Sequence, residues 1–504
     1  MTSNMQTLPF VLRDPSLFHT HAYSHGQWVD AKDGALFDVE DPGTGKTFAS
    51  CPDLAVEDIE DVVQSSSKAF QSYRGMNPRV RAQLLLKWHE LICANRDDLA
   101  TILCHESGKP LREAYGEIDY ATGFTWWFAG EAERIRGEIS TPSAPNRRVM
   151  VLKQPIGVCV ALVPWNFPIA MVLRKVGAAL AAGCTIIAKP SPETPLTTLT
   201  LAYLALKAGF APGVFNVVTT SNQNTPRLSE ALCKHPLVRK VSFTGSTSVG
   251  SIIAKHCAEG LKKLTLELGG NCPFIIFSDA DQDQALAQLT ALKWRNAGQT
   301  CITANRIYVQ EEIYEEFLTK LTDHASTIKL GHGSREAVTM GPLTTIRGVE
   351  KARHHVEDAI QRGAEVIHGG KAPAASEVGF GYFFEPTIIR DMDSSMLITH
   401  EESFAPIAAI YKFKTEAEVA SLANNTDMGL ASYVFTKDVD RTWRMLESLE
   451  AGMIGLNTGN SSAAETPFGG IKLSGYGKES GKDVAVAEYL VSKTCTMTFE
   501  GELK

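Results

Sequence analysis

The sequence predicts an α/β fold made of two parallel-sheet units in one chain. Two observations carry that expectation. Short apolar runs alternate with helical segments across residues 157–277 and again from about 282 to 456, the pattern that right-handed crossovers turn into a parallel sheet. The length, 504 residues, exceeds what one simple core supports, so two or three domains are expected.

In chain order, residues 56–73, 79–94 and 113–134 carry apolar side chains at three- and four-residue spacing, with charge on the other face, as amphipathic helices do. The Trp126-Trp127-Phe128 cluster reads as packed. Residues 147–153 alternate as a strand standing outside the main core. Apolar runs follow at 158–163, 185–189, 214–218, 240–243, 263–268 and 273–277. Between them lie helical segments at 169–182, 196–207, 226–234 and 248–258. The second unit is marked by 306–310, 314–328, 365–368, 407–413 and 452–456.

Composition narrows the function. Net charge is −8, from 49 Lys+Arg against 57 Asp+Glu, which gives no footprint for nucleic acid or an anionic membrane. No apolar run reaches the ~18–20 residues that span a bilayer. The ten cysteines are scattered, without C-x-x-C or zinc-like spacing, so neither a metal site nor a disulfide framework is expected. The N-terminal stretch lacks a secretory or transit pattern. A reduced, cytoplasmic protein is the resulting expectation.

Four segments carry chemistry. In Asn-Ala-Gly-Gln-Thr-Cys-Ile-Thr-Ala-Asn-Arg (296–306), Cys301 sits among small and polar residues, although an unpaired cysteine is more often a buried hydrophobe. An open, hydrogen-bonded loop of this kind suits a stabilised thiolate. Phe243-Thr244-Gly245-Ser246-Thr247-Ser248-Val249-Gly250 follows a strand and opens a helix, and reads either as a phosphate cradle or as a plain N-cap. Pro164-Trp165-Asn166-Phe167-Pro168 is a stiff corner holding Asn166 at the carboxyl edge of the sheet. There its amide either donates to an oxyanion or closes its own turn. Leu266-Glu267-Leu268-Gly269-Gly270-Asn271 puts one carboxylate at an apolar strand end. It is either a desolvated base of raised pKa or a solvent-facing end.

Together these supply a nucleophile, a base, an amide donor and a phosphate cradle, a set that matches an activated-thiol oxidoreductase. From about residue 26 to 498 the chain resembles the aldehyde dehydrogenase superfamily. The resemblance rests on PWNFP (164–168), KPSPETP (189–195), FTGSTSVG (243–250), LELGG (266–270), GQTC (298–301), EESFAPI (401–407) and PFGG (467–470), whose order and spacing recur together. It implies two Rossmann-type parallel-sheet domains plus a small oligomerisation flap. The nucleotide-binding domain would take 1–145 and 162–270, the oligomerisation segments 146–161 and 487–504, and the catalytic domain 271–486. A homodimer or homotetramer is implied, with 147–153 and 491–497 at the contacts.

The resemblance also implies roles. Cys301 matches the nucleophile that forms a thiohemiacetal and then a thioester, Asn166 the oxyanion donor, and Glu267 the base that activates water. Trp165, Lys189, Ser191, Pro192, Gly245, Ser246, Glu402 and Phe404 match cofactor-binding positions. Of these, Lys189 serves the adenosine ribose, Ser246 the pyrophosphate, and Glu402 and Phe404 the nicotinamide ribose. No metal is implied. Within the superfamily, RKVGAALAAG (174–183), KWRNAGQTC (293–301) and NTGNSSAAETPFGG (457–470) are most similar to the succinate-semialdehyde branch. There two arginines and a serine, here Arg174, Arg295 and Ser462, hold the distal carboxylate of a small semialdehyde. A guanidinium at residue 174, between the apolar runs 169–173 and 176–182, points the same way, since it needs a counter-charge or an exit to water. Arg295 reads either as that substrate contact, in a site that excludes water, or as a helix C-terminal charge partner. Two positions depart from common patterns. Thr303 stands where some members have a second cysteine that forms a redox disulfide. Pro192 stands where NAD-preferring members carry the glutamate that repels a 2′-phosphate, so NADP is favoured over NAD. Glutarate semialdehyde and aromatic aldehydes are the alternative substrates, and Glu267 argues against transfer to coenzyme A.

Overall fold

The computed structural model describes residues 8–500. Residues 1–7 and 501–504, the ends of the first and last expected segments, lie outside them. The main architecture is two sheets, each covered by helices on both faces. In the larger, the strands run in the order Gln27–Val29, Ala22–Ser24, Phe215–Val217, Thr185–Lys189, Val158–Leu162, Val238–Thr244, Lys263–Glu267, Gly475–Tyr476. The central five are parallel, and the edges are closed by antiparallel strands. The second sheet runs Glu365–His368, Thr387–Arg390, Ile407–Phe413, Arg306–Gln310, Pro273–Ile276, Ala431–Phe435, Met453–Leu456, parallel except for its first pair.

Strands Val158–Leu162 and Thr185–Lys189 are buried at every position. Helices cover both faces, so their sequences are continuous apolar runs rather than alternations. Helix Pro168–Ala182 is likewise buried throughout. Proline at its first turn and Gly183 in the left-handed region (φ +91°) after its last residue set its bounds.

A third sheet stands apart, where Arg147–Pro155 pairs antiparallel with Glu138–Ser140 and with the C-terminal strand Leu490–Thr498. It differs from the expected segment boundaries at three places. Val158–Leu162 is the middle of the first sheet, not part of the flap. Glu138–Ser140 joins the flap, and Gly475–Tyr476 returns to the edge of the first sheet.

Trp126 also departs from expectation. It is 63% exposed, beside His89 at 5.8 Å between ring centroids, while Phe124 and Phe128 are fully buried. Residues 124 and 128 share one face of helix Leu111–Ala132, so residue 126 points away from it. Within the helical stretch of about 50–135, sequence reading did not delimit helix Arg96–Ser107, whose polar Asp98, His105, Glu106 and Ser107 are buried along with its apolar residues, leaving no amphipathic signal. Among the described residues no helix is long and apolar enough to cross a membrane.

Candidate active site

The chemistry-bearing segments meet at the carboxyl edges of the parallel strands, where ligands bind in such sheets. Helix Gln282–Lys293 leads into the Cys301 loop. Three successive residues there, Asn296, Ala297 and Gly298, have positive φ (+51°, +52° and +75°). Each of the two non-glycine positions costs on the order of 1–3 kcal/mol, so the loop must be held from outside. Glu113 Oε2 accepts from the Asn296 N–H at 2.7 Å, and Asn296 Nδ2 donates to the Asn166 carbonyl at 3.0 Å. Gln299 Nε2 donates to the Asn296 carbonyl at 2.9 Å, while its Oε1 accepts from the Thr344 N–H at 2.9 Å. The Cys301 N–H donates to no group among the described residues.

Asn166 is clamped from behind. Lys109 Nζ donates to its carbonyl at 2.7 Å and pairs with Glu117 at 2.5 Å. Glu117 in turn accepts from the Ile169 and Ala170 N–H groups (2.9 and 3.2 Å) at the start of helix Pro168–Ala182, the favourable end for a carboxylate. Asn166 Nδ2 donates one hydrogen to the Gln299 carbonyl at 3.0 Å, leaving its second N–H.

Glu267 ends strand Lys263–Glu267, is 1% exposed, and has no hydrogen-bond partner for either oxygen. Burial, reinforced by the Glu479 carboxylate, pushes its pKa up to about 7. This is the desolvated base among the two sequence readings. Cys301 corrects the sequence reading, which had the loop stabilising a thiolate. Burial and the neighbouring Glu267 and Glu402 carboxylates hold its pKa well above the ordinary thiol range, so the resting group is a thiol.

A cavity of about 400 Å³ opens beside the sulfur, and Arg174, Arg295, Cys301 and Ser462 all line it. Arg174 is 1% exposed. Its Nη2 donates to Tyr120 Oη at 2.7 Å, Tyr120 bonds Ser462 Oγ, and Phe468 stacks at 4.1 Å. Glu479 lies 3.9 Å behind it, already paired with Lys175. The Nε and Nη1 of Arg174 have no hydrogen-bond partner, Nη1 having only the longer ion pair with Glu479, an uncommon state for a buried cation. Arg295 differs from the water-excluded reading: it is exposed, over the Phe167 ring at 5.3 Å, at the open end of the cavity.

The other expected positions form two further groups. Lys189 is buried, its side chain makes no hydrogen bond or ion pair among the described residues, and desolvation pushes its pKa down to about 8. Pro192 lines a second cavity of about 320 Å³ with Glu193, Ser221 and Asn222. Glu193 is tied by the Ser191 hydroxyl and by Asn222 Nδ2 at 2.9 Å, with Arg347 at 3.9 Å. Gly245 precedes the exposed Ser246, whose Oγ caps helix Thr247–Ala258 only loosely, 3.4 Å from the Val249 N–H. Glu402 Oε1 accepts from the Gly270 N–H at 3.2 Å and, being buried, has a pKa raised to about 7. Phe404 (φ +51°) meets Trp165 edge-on at 5.5 Å. A largely buried lysine whose ammonium has no partner, at Lys189, and a helix N-terminus with uncommitted N–H groups fit a dinucleotide.

Sequence reading missed Tyr120, Glu113, Lys175 and Glu479. Tyr120 and Glu113 share one face of helix Leu111–Ala132 with Glu117 and Phe124, at three- and four-residue spacing. That polar stripe facing inward was the available signal. Nothing local marks Lys175 and Glu479, which are 304 residues apart.

The chain matches the aldehyde dehydrogenase family over residues 28–495. It is 47% identical to succinate-semialdehyde dehydrogenase NADP(+) 1 of Schizosaccharomyces pombe, over 99% of this chain and 98% of that one. It is 45% identical to glutarate-semialdehyde dehydrogenase of Pseudomonas aeruginosa, over 96% and 98%. A crystal structure described as an NADP-dependent enzyme of E. coli superposes with TM-score 0.94 at 43% identity, covering 97% of this chain and all of that one.

Proposed function

The chain belongs to the aldehyde dehydrogenase family, and from that premise we propose that it oxidises succinate semialdehyde to succinate, with NADP as the preferred acceptor. The observation that carries the substrate is Arg174. Two of its buried nitrogens lack hydrogen-bond partners, and it shares the Cys301 cavity with Ser462 and the exposed Arg295. A distal carboxylate supplies a hydrogen-bond acceptor for this guanidinium, and charge-assisted bonds of this kind are the strong ones.

The residues then act in order. Glu267, with its pKa near 7, takes the Cys301 proton, and the sulfur attacks the aldehyde carbon. The Cys301 N–H and the second Asn166 amide hydrogen hold the oxyanion. NADP, when bound, accepts the hydride that leaves this carbon. A thioester remains on Cys301. Glu267, its proton passed to solvent, deprotonates the water that hydrolyses it, releasing the acid and the thiol. Lys189 and Ser191 would hold the adenosine ribose, beside Pro192, and Gly245 and Ser246 the pyrophosphate. Glu402, Phe404 and Trp165 would hold the nicotinamide end. Pro192 removes a carboxylate from the ribose contact, which favours NADP over NAD.

The Pseudomonas relative supports glutarate semialdehyde, one methylene longer, as a second reading. Initial rates on succinate semialdehyde, glutarate semialdehyde and butanal, each with NADP and NAD, decide between them. The highest kcat/KM is expected for succinate semialdehyde with NADP, and preference for butanal would overturn the carboxylate reading.

We further infer a homodimer or homotetramer joined through the flap. Strand Leu490–Thr498 is exposed along most of its length, and Leu152, Val491 and Met497 project from the flap. Sedimentation of the wild type against a chain ending at residue 489 tests this. The free cysteines support a cytoplasmic location, which cell fractionation tests.

A further inference from the structure

Away from the substrate cavity, three residues remote in sequence meet at one point. Asp41 ends strand Leu36–Asp41, His105 lies in the last turn of helix Arg96–Ser107, and His332 follows helix Tyr314–Ser326. Asp41 Oδ2 lies 2.8 Å from His105 Nδ1 and 2.8 Å from His332 Nε2, and the three atoms all fall within 4.8 Å of one another. Asp41 and His105 are buried, and the His332 side chain is 12% exposed.

The rings are held in position. A Cβ at residue 43 would overlap the His332 ring, so Gly43 lets that ring lie against the turn. His332 Nδ1 is bonded to Ser334 Oγ at 2.7 Å and accepts from its N–H at 3.2 Å. The second oxygen of Asp41 accepts from the Gly43 N–H at 2.8 Å, and Phe10 lies 4.6 Å from the His105 ring. These are the outer contacts that orient metal ligands.

We propose that Asp41, His105 and His332 bind a divalent first-row transition-metal ion of the zinc, cobalt and nickel class. Two imidazoles and one carboxylate are the donor set such ions take at roughly 2.0–2.2 Å. Ligands at those lengths stand about 2.9–3.5 Å apart, so the Asp41 oxygen draws back from each imidazole nitrogen by a few tenths of an ångström to admit the ion, and the two nitrogens, within 4.8 Å of each other, close on it where needed. Each imidazole binds neutral, its proton moving to the ring nitrogen facing away. For His332 that proton then points at Ser334 Oγ, and Nδ1 gives up the bond it accepts from the Ser334 N–H. A cavity of about 600 Å³ adjoins the cluster, lined on its outer side by Lys46 and Arg335. It gives an entry path and leaves the remaining coordination positions to water or a small anion. With Asp41 and His105 on the N-terminal side and His332 on the segment after Ser326, the ion ties two distant parts of the chain.

Cobalt(II) titration of the full-length protein tests this. The wild type is expected to take one cobalt per chain, with the d–d absorption of nitrogen and oxygen ligation and without the intense thiolate charge-transfer band, which separates this site from the cysteines. Zinc should displace it. His332→Gln keeps a side-chain N–H toward Asp41 and should weaken cobalt binding by at least ~100-fold, as should His105→Gln, while dehydrogenase activity stays near wild type. Proton NMR of the cobalt-loaded wild type reads the site without any variant, through hyperfine-shifted ring N–H signals of two histidines. No such cobalt band at millimolar metal, an unchanged spectrum in both variants, or no shifted histidine signals would overturn the proposal and leave a hydrogen-bonded triad.

Discussion

Replacing Arg174 by methionine separates recognition of the substrate's far end from chemistry at its aldehyde. The guanidinium gives one bond to Tyr120 at 2.7 Å, its Nη1 faces Glu479 at 3.9 Å, and neither Nε nor Nη1 has a hydrogen-bond partner. If a carboxylate accepts from one guanidinium N–H, that bond contributes roughly 1.5–3 kcal/mol. Taking the lower end predicts a loss in kcat/KM of at least ~10-fold on succinate semialdehyde. Butanal cannot make that bond, so its loss should stay within ~3-fold. Arg295 is exposed, where an ion pair contributes roughly 0.2–1 kcal/mol, so Arg295→Ala should cost at most about fivefold. The fold should survive Arg174→Met, because an apolar side chain of similar size replaces an under-bonded buried cation and Glu479 keeps its pair with Lys175. Steady-state kinetics of both variants on both aldehydes supply the assay. Equal losses on the two substrates, or a larger loss for Arg295→Ala than for Arg174→Met, would refute the reasoning.

Cys301→Ala should abolish turnover while nucleotide binding, read by fluorescence titration, persists; residual turnover near wild type would sink the thiol mechanism. Glu267→Gln should slow formation of the thioester as well as its hydrolysis, so NADPH should form slowly from the first turnover without a burst, and the rise of kcat with pH through about 7 should disappear. The same variant carries a stability test. The folded pKa of Glu267 is raised from the ordinary carboxylate range to about 7, so the stability of the native protein is full below that range and is lost as pH rises from it through 7. Glu267→Gln should therefore gain on wild type between pH 5 and 8, by on the order of 3 kcal/mol at most; a pH-independent difference in Tm would contradict this. Pro192→Glu should shift preference toward NAD by setting a carboxylate near the 2′-position, and unchanged Michaelis constants for both nucleotides would count against it.

Strands were legible where burial makes them continuously apolar. The run 185–189 coincides with strand Thr185–Lys189, and the helical segment 169–182 with helix Pro168–Ala182. Legibility failed where a residue's neighbours lie far along the chain. Trp126 looked like core because its sequence neighbours are aromatic, yet its exposure follows from the helix face it occupies. Cys301 was found from its small polar loop, but its protonation depends on Glu267 and Glu402, 34 residues before and 101 after it. Arg295 was found from the loop's motif, but its exposure depends on what packs around the cavity mouth. The Asp41, His105 and His332 cluster has no spacing that a motif could express.

The return of Gly475–Tyr476 to the edge of the first sheet has a consequence for biosynthesis. Glu267 and Leu266 pair with these two residues, which leave the ribosome about 200 residues later, roughly 10–40 s at ordinary rates of synthesis. Until then the strand bearing Glu267 has a bare edge. Glu479, which helps raise the Glu267 pKa, arrives in the same stretch, followed by the strand that completes the flap. The nascent chain thus carries its sulfur long before it can use it, and its reactivity is completed by the final thirty residues.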